Sequence, residues 1–315
     1  MSFAMKPDQR VAQEVCRLTA RQLELAAEEL QAQPAADEPH QHVHEARRHL
    51  KKVRALMRLA RPALTSHAWN TNRRLRAAGR ALAPLADADA MVQLIGVLAA
   101  RFAGERSREV DAALRPLLVD RRDRISRAMT VAGGHANVIA QIDATRDRLE
   151  RWRLTGSGFR VVGGGLRRSA RRPRRACQRA LERPTGERYH AWRQRVKDLW
   201  LQVRLLEQRT GGRLGALEAQ LEQLDGVLGQ YHDCTLLREL LASRVARTRR
   251  LEATGCLWLI RRYQIELRRQ ARTLAVDVHR ATPRELVDHV RGLWRAASLA
   301  RAATAQPRTP WRDAA

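Results

Sequence analysis

Five basic or imidazole side chains follow one another at helical spacing between residues 43 and 62. They fall at positions i, i+3, i+7, i+10 and i+14, so an α-helix of 3.6 residues per turn places them in one stripe. The stripe consists of His44, Arg47, Lys51, Arg54 and Arg58. Arginine donates paired hydrogen bonds to phosphate oxygens, lysine supplies a compact positive charge, and histidine can gain a proton beside an anion. With successive donors about 5 Å apart along the helix axis, the stripe predicts binding of an extended anion.

The same pattern occurs a second time, 146 residues later. The second stripe consists of His190, Arg193, Lys197 and Arg204, which follow His44, Arg47, Lys51 and Arg58 by that shift. The shift also takes Asp87 to Asp233, so the register holds without a gap. A fixed period of this size indicates an internal duplication. It predicts two similar helical halves, related by a pseudo-twofold axis, whose stripes face a shared cavity.

Each stripe borders an apolar seam, and this position indicates whether its cations are exposed to solvent or line a groove. The first seam contains Val43, Ala46, Leu50, Val53, Met57 and Ala60, and the second contains Tyr189, Trp192, Val196, Leu199, Val203 and Leu206. A run of charges usually forms a solvated helix face opposite the seam. Here the charges lie beside it, so we expect them to line a groove between packed helices.

The composition requires a polyanionic partner. The chain has 315 residues, with 60 lysines and arginines against 33 aspartates and glutamates, a net charge of +27 and a pI of about 11.6. A folded protein this basic repels itself unless it binds nucleic acid, an anionic membrane or a phosphate polymer. The N-terminus lacks an apolar signal region, and the longest apolar run, residues 91–102, is short for a membrane span. We therefore expect a soluble, cytoplasmic protein.

Scarce glycine and proline and little alternation of β-branched residues predict an all-α fold. We place one half at residues 8–154, the other at 155–301 and a disordered tail at 302–315, with about six helices in each half. A loop is expected at residues 33–41. Proline at position 84 should end a helix and Asp87 should begin the next. Gly229 should likewise end a helix, and the next helix should run over residues 231–250.

The second half begins with the most basic stretch of the chain. Arg168, Arg171 and Arg175 share one helix face there and are further candidates for anion contact. They follow the run Gly163-Gly164-Gly165, which lacks the strand and the motif of a nucleotide-binding loop. We therefore interpret the three glycines as a site of close helix packing or a helix break.

Three segments together resemble the CHAD domain, the conserved-histidine α-helical domain: VHEARRHLKKVRALMRLARP, HAWRQRVKDLWLQVRLLE and LDGVLGQYHDCTLL. The resemblance extends over about residues 8 to 300. It implies a pair of helical bundles about a pseudo-twofold axis, enclosing a basic cavity that binds inorganic polyphosphate. In bacteria it also implies localisation to polyphosphate granules. The residues of both stripes match the two family motifs, and Asp233 matches an aspartate of the family.

This chain departs from the family pattern and from its own symmetry. Ala86 precedes Asp87 where the family often has arginine, and Trp200 replaces the cation that Arg54 provides. The positions equivalent to Arg168, Arg171 and Arg175 are Gln22, Leu25 and Glu29. We therefore expect the cavity to be more basic on one side.

Other functions are less favoured by the residues. Nucleic-acid binding is allowed by the charge, but helix-turn-helix, zinc and RNP-like signatures are missing and the tryptophans fall at core spacings. A polyphosphate-processing enzyme would need carboxylates for a metal, and we expect no acidic cluster beside the stripes. Asp87 and Asp233 are interpreted as helix caps and partners of arginines. We predict no cofactor, no metal and no catalytic residue, with sulfate or phosphate as a stand-in for polyphosphate in crystals; the oligomeric state stays open.

Overall fold

The protein is described by a computed structural model that covers residues 3–32, 40–243 and 250–305. In these residues the chain forms helices and one isolated antiparallel bridge between Leu64 and Leu154, with no strand. The prediction of an all-α fold is therefore confirmed. The helices are α1 (Val11–Gln31), α2 (Gln41–Leu59), α3 (Ser66–Ala81), α4 (Ala83–Arg101), α5 (Glu105–Val131), α6 (Gly134–Arg146), α7 (Arg160–Glu182), α8 (Gly186–Leu206), α9 (Gly215–Ala242), α10 (Arg250–Val278) and α11 (Pro283–Ala305).

Threonine side chains begin two of these helices. The hydroxyl of Thr65 accepts a hydrogen bond from the backbone N–H of Ala68 at 3.3 Å, and that of Thr185 accepts one from Arg188 at 3.3 Å. Each hydroxyl satisfies an N–H that the first turn of a helix leaves without a partner. The cap at Thr185 starts α8, which carries the second stripe.

The predicted break at Gly229 is wrong. The helix α9 continues through that glycine, so Asp233 lies within a helix and does not cap one. One glycine costs a helix about 1 kcal/mol, and burial of its neighbours Leu228 and Tyr231 offsets this. In the first half, the position equivalent to Gly229 is Ala83, the first residue of α4, and Pro84 follows it in the first turn. The chain there forms two separate helices, α3 and α4. The second half consequently has five helices among the described residues, where about six were expected.

Several other boundaries differ slightly from expectation. Asp87 is the fifth residue of α4, so it does not cap that helix. The predicted loop at residues 33–41 lies largely outside the described residues, which resume at His40. The tail was predicted from residue 302, but α11 continues to Ala305; residues beyond it are not described.

The helices pack in pairs that then join. In one half α1 packs on α2 and α4 on α5; in the other α7 packs on α8 and α9 on both α8 and α10. The halves meet where α2 crosses α8 and where α4 packs on α9. One hydrophobic core runs through these contacts. Trp152, Trp192, Trp200 and Trp294 are buried in it as predicted, whereas Trp258 is 52% exposed.

The three consecutive glycines lie inside α7 and allow close packing. A Cβ atom at Gly165 would lie only 1.8 Å from the carbonyl oxygen of Leu59, at the end of α2. No side chain other than hydrogen fits at that distance. The interpretation of these glycines as a packing site is therefore confirmed. The contact brings α7 against the C-terminal end of α2, where the first stripe ends at Arg58.

The helix α4 is long and apolar enough, by length and composition alone, to cross a membrane. It packs between α5 and α9, and its carboxylates Asp87 and Asp89 form ion pairs with side chains of other helices. These contacts are typical of a helix that packs in a protein core.

Candidate anion-binding site

Packing of α2 on α8 brings the first three members of each stripe together. We call this set the α2–α8 cluster: His44, Arg47, Lys51, His190, Arg193 and Lys197. All six side chains are partly buried. The charges of Arg47, Arg193 and Lys197 all act on Lys51, and Asp225 is the carboxylate that opposes them. The α2–α8 cluster therefore concentrates positive charge in a poorly solvated place.

Lys51 has no counterion of its own. Burial, followed by the charges of Arg47, Arg193 and Lys197, lowers the pKa of Lys51 to about 7. Its ammonium group forms no hydrogen bond or ion pair with any residue that the structure describes. Its counterpart Lys197 is different, because the ammonium lies 2.7 Å from Asp225 Oδ2. Position 79, which corresponds to Asp225 in the first half, is a glycine and offers no carboxylate.

The two arginines of the α2–α8 cluster also differ in whether they have a carboxylate partner. Arg47 donates through Nη1 to Asp87 Oδ1 at 3.2 Å and to the Ala83 carbonyl oxygen at 3.5 Å. Arg193 has no hydrogen-bond or ion-pair partner among the described residues, and its buried Nε is unsatisfied. A buried cation without a partner is costly. Lys51 and Arg193, one from each helix, are therefore the groups that an incoming anion would stabilise most.

His44 is held by a carboxylate. Its Nε2 lies 3.1 Å from Asp89 Oδ2, and the other oxygen of Asp89 lies 3.4 Å from Arg122 Nη1. Burial raises the pKa of Asp89, but the hydrogen bond with His44 and the charges of His44 and Arg122 more than offset this, so the net pKa is lowered. Asp89 thus stays ionised and orients the imidazole.

His190 is held by a second histidine, which sequence analysis missed. Its ring lies 4.1 Å from that of His232, with the two Nδ1 atoms 3.1 Å apart, and its Nε2 lies 2.6 Å from Gln194 Nε2. Burial, then the charges of His190 and Arg193, lowers the pKa of His232 to about 3; burial and Arg193 also lower that of His190. Both rings are therefore neutral near pH 7. The shift of 146 residues aligns His232 with Ala86, which gave no signal of a second imidazole.

The two aspartates that sequence analysis singled out have different roles. Asp87 pairs with Arg47, so the prediction that it positions an arginine is confirmed. Asp233 has no hydrogen-bond partner among the described residues. Burial and the charge of Asp87 raise the pKa of Asp233, although Arg193, Lys51 and His44 act against this. Asp233 therefore lies within electrostatic range of the α2–α8 cluster without neutralising it.

The remaining members of the first stripe belong to a second group, centred on the buried carboxylate of Asp198. We call it the Asp198 arginine group: Arg54, Arg58, Arg76, Arg80, Arg172 and Arg195. Arg58 Nη1 lies 2.8 Å from Asp198 Oδ1, and Arg195 Nη1 lies 3.8 Å from the other oxygen. Burial and the charges of Arg58, Arg76 and Arg80 lower the pKa of Arg54 to about 10. The charges of Arg58, Arg195, Arg54 and Arg172 therefore act on this one carboxylate, and Arg76 and Arg80 adjoin the group through Arg54.

The other predicted site residues lie apart from the α2–α8 cluster. Arg204 Nε is 3.6 Å from Glu218 Oε1, on the side of Lys52. Arg168 lies beside Arg172 and so adjoins the Asp198 arginine group. Arg171 and Arg175 are exposed and contact neither group.

Carboxylates are more numerous here than the sequence suggested. The sequence predicted no acidic cluster beside the stripes, and it did not indicate that single carboxylates lie among them: Asp87, Asp89, Asp198, Asp225 and Asp233. They are spread singly between cations. In the described ranges, no three histidine, cysteine, aspartate or glutamate residues are grouped so that they could hold a metal ion.

Three comparisons with known proteins bear on the family. The family model for the CHAD domain matches residues 21–242. The fold is similar to the crystal structure of the CHAD domain from the plant Ricinus communis, with a TM-score of 0.60 at 15% identity, covering 94% of this chain and 95% of that one. It is also similar to PptA from Streptomyces chartreusis, with a TM-score of 0.56 at 14% identity, covering 86% and 99%. The comparison with curated proteins gave no match.

The class that the fold and the sequence define is an all-helical domain with two basic motif helices. Because the family model matches most of the chain, this protein belongs to the CHAD domain family. The match starts and ends inside the span of 8 to 300 that the motifs suggested, while the structural similarity extends over nearly the whole chain.

Proposed function

We propose that this protein binds inorganic polyphosphate, without catalysis, in a basic cavity between two related helical halves. The CHAD family is linked in general to polyphosphate binding, which supports the choice of ligand. The observation that carries the proposal is the pair of cations Lys51 and Arg193, one from each motif helix. The charge of Arg193 acts on Lys51, and neither has a counterion among the described residues. A chain of phosphates offers the oxygens that both lack.

Contacts between α2 and α8 support the proposed duplication. Arg58 pairs with Asp198. The residues related to them by the 146-residue shift are Arg204 and Lys52, and the charge of Arg204 acts on Lys52. In the same way, the charge of Asp87 acts on His190 and that of His44 on Asp233. A pseudo-twofold axis through the crossing of the two helices would produce both pairs of reciprocal contacts.

The chemistry of the site favours polyphosphate over nucleic acid. Polyphosphate has charge and oxygen acceptors but no bases, so it needs donors and no stacking surface. The aromatic rings on and beside the motif helices, Tyr189, Trp192, Trp200 and Tyr231, are buried in the core. General binding of polyanions or nucleic acid is the alternative, and competition separates the two.

A binding role also fits the carboxylates. Metal-assisted phosphoryl transfer uses grouped carboxylates, whereas Asp87, Asp89, Asp198 and Asp225 each pair with a cation or an imidazole. We therefore propose that the protein binds polyphosphate in the cytoplasm, localises to polyphosphate granules and does not cleave the polymer.

Fluorescence anisotropy with labelled polyphosphate tests the proposal. We expect affinity to increase from triphosphate to chains of tens of phosphates, and the logarithm of affinity to fall linearly with the logarithm of salt concentration as counterions are released. Unlabelled long polyphosphate should displace the probe, whereas duplex DNA at equal phosphate concentration should not. Equal affinity for short and long chains, displacement by DNA, or metal-dependent release of phosphate from the pure protein would each contradict the proposal.

A further inference from the structure

The two sides of the α2–α8 crossing are unequal in charge. Under the 146-residue shift, Arg54, Arg76, Arg80, Arg172 and Arg195 correspond to Trp200, Glu222, Gly226, Ala26 and His49. The sixth member of the Asp198 arginine group, Arg58, has the cation Arg204 as its counterpart, but Arg204 lies beside Glu218. Positive charge is therefore greater on the side of the Asp198 arginine group than on the side of Arg204, and the α2–α8 cluster lies between them.

On the arginine side, the four helices α2, α3, α7 and α8 present their cations together. The close approach of α7 to the carbonyl oxygen of Leu59, which Gly165 permits, sets Arg172 beside Arg58 and Arg195. From α3, Arg76 and Arg80 are exposed and act electrostatically on Arg54. Of these residues, only Arg58 and Arg195 are paired with Asp198. The others have no carboxylate partner in the part of the chain that the structure describes.

On the opposite side, the cations are neutralised or covered. Arg21 pairs with Glu24 and Arg48 pairs with Glu45. Lys52 lies over the ring of Phe3, with Nζ 5.7 Å from the ring centroid. The backbone N–H of Met5 donates to the Leu205 carbonyl oxygen at 3.0 Å, so the N-terminal segment packs on the end of α8. A chain of phosphates would meet few free cations there.

We infer that a long polyanion leaves the α2–α8 cluster on one side only, across the Asp198 arginine group, so that this group sets the dependence of affinity on chain length. The inference rests on the proposed function. A short anion fills the α2–α8 cluster alone, whereas a longer one extends toward α3 and α7. The chain is thus bound in an asymmetric path on a scaffold with related halves.

Two triple variants of equal charge test this path. The first is R76Q/R80Q/R172Q, which removes exposed arginines that have no ion pair and should leave the fold intact. The matched control is R21Q/R48Q/K52Q, whose residues surround His49, the counterpart of Arg195. Circular dichroism and a thermal melt verify that each variant folds. Affinity for triphosphate and for long polyphosphate is then measured by anisotropy at several salt concentrations.

The first variant should lose about 30-fold in affinity for the long chain, because three phosphate contacts are removed. For the same reason, the slope of the logarithm of affinity against the logarithm of salt concentration should decrease in magnitude by about three. Its affinity for triphosphate should change by less than about 2-fold, and the control should keep both affinities within the same limit. Equal losses for long chains in both variants would overturn the one-sided path. A wild-type protein that binds neither ligand would instead overturn the proposed function itself.

Discussion

The double variant K51Q/R193Q should lose about 100-fold or more of its affinity for polyphosphate, because each charged hydrogen bond contributes about 1.5–3 kcal/mol. These two cations come from α2 and α8, the charge of Arg193 acts on Lys51, and neither has a partner among the described residues. Removing them takes away ligand contacts without breaking an ion pair. Anisotropy with a long labelled chain at fixed salt measures the loss.

The control for this variant is R280Q/R284Q, which removes the same charge from side chains that are 80% and 85% exposed. Its affinity should change little, since distant surface charges are screened. The melting temperature of K51Q/R193Q should be unchanged or higher, because the free protein no longer has to bury two unpaired charges. Equal losses in the two double variants would show that net charge, and not the α2–α8 cluster, determines binding.

Binding should also weaken as pH rises from 7 to 9. The pKa of Lys51 in the free protein is lowered from its ordinary value of 10.5 to about 7 by burial and neighbouring cations, and a bound anion would raise it again. Binding then takes up a proton, so affinity is highest below pH 7 and falls as Lys51 deprotonates. The loss should reach about 50-fold at pH 9 if the bound lysine regains its ordinary pKa.

The variant K51R gives the control for this pH dependence. Arginine stays protonated throughout the range, so its affinity should be nearly constant between pH 7 and 9. The imidazoles of His190 and His232 contribute little there, because their lowered pKa values keep both neutral. Calorimetry in buffers of different ionisation enthalpy should show proton uptake by the wild type only. The same pH profile for K51R and wild type would remove Lys51 from this account.

The repeat predicted that the first three members of each stripe meet, but it did not predict that Arg204, Arg171 and Arg175 lie apart from them. Since α2 and α8 both carry stripes beside apolar seams, burying the seams brings His44, Arg47 and Lys51 to His190, Arg193 and Lys197. Helix types and most helix starts also followed from the sequence, because Thr65 and Pro84 act locally.

The partners of these residues could not be predicted, because they come from other helices. Asp89 lies on α4 and Asp225 on α9, and neither is near its cation in sequence. The grouping around Asp198 depends on how α3 and α7 pack against α2. Gly165 permits the close approach of α7 through one backbone contact. The continuity of α9 through Gly229 likewise depends on buried neighbours, which outweigh a local preference.

A crystal structure of the full chain with long-chain polyphosphate tests the central claim most directly. The account predicts phosphate oxygens within hydrogen-bond distance of both Lys51 Nζ and the Arg193 guanidinium, with the chain continuing toward Arg172. Phosphates ordered only over outer residues such as Arg171 and Arg175, with the space between Lys51 and Arg193 occupied by water, would contradict it.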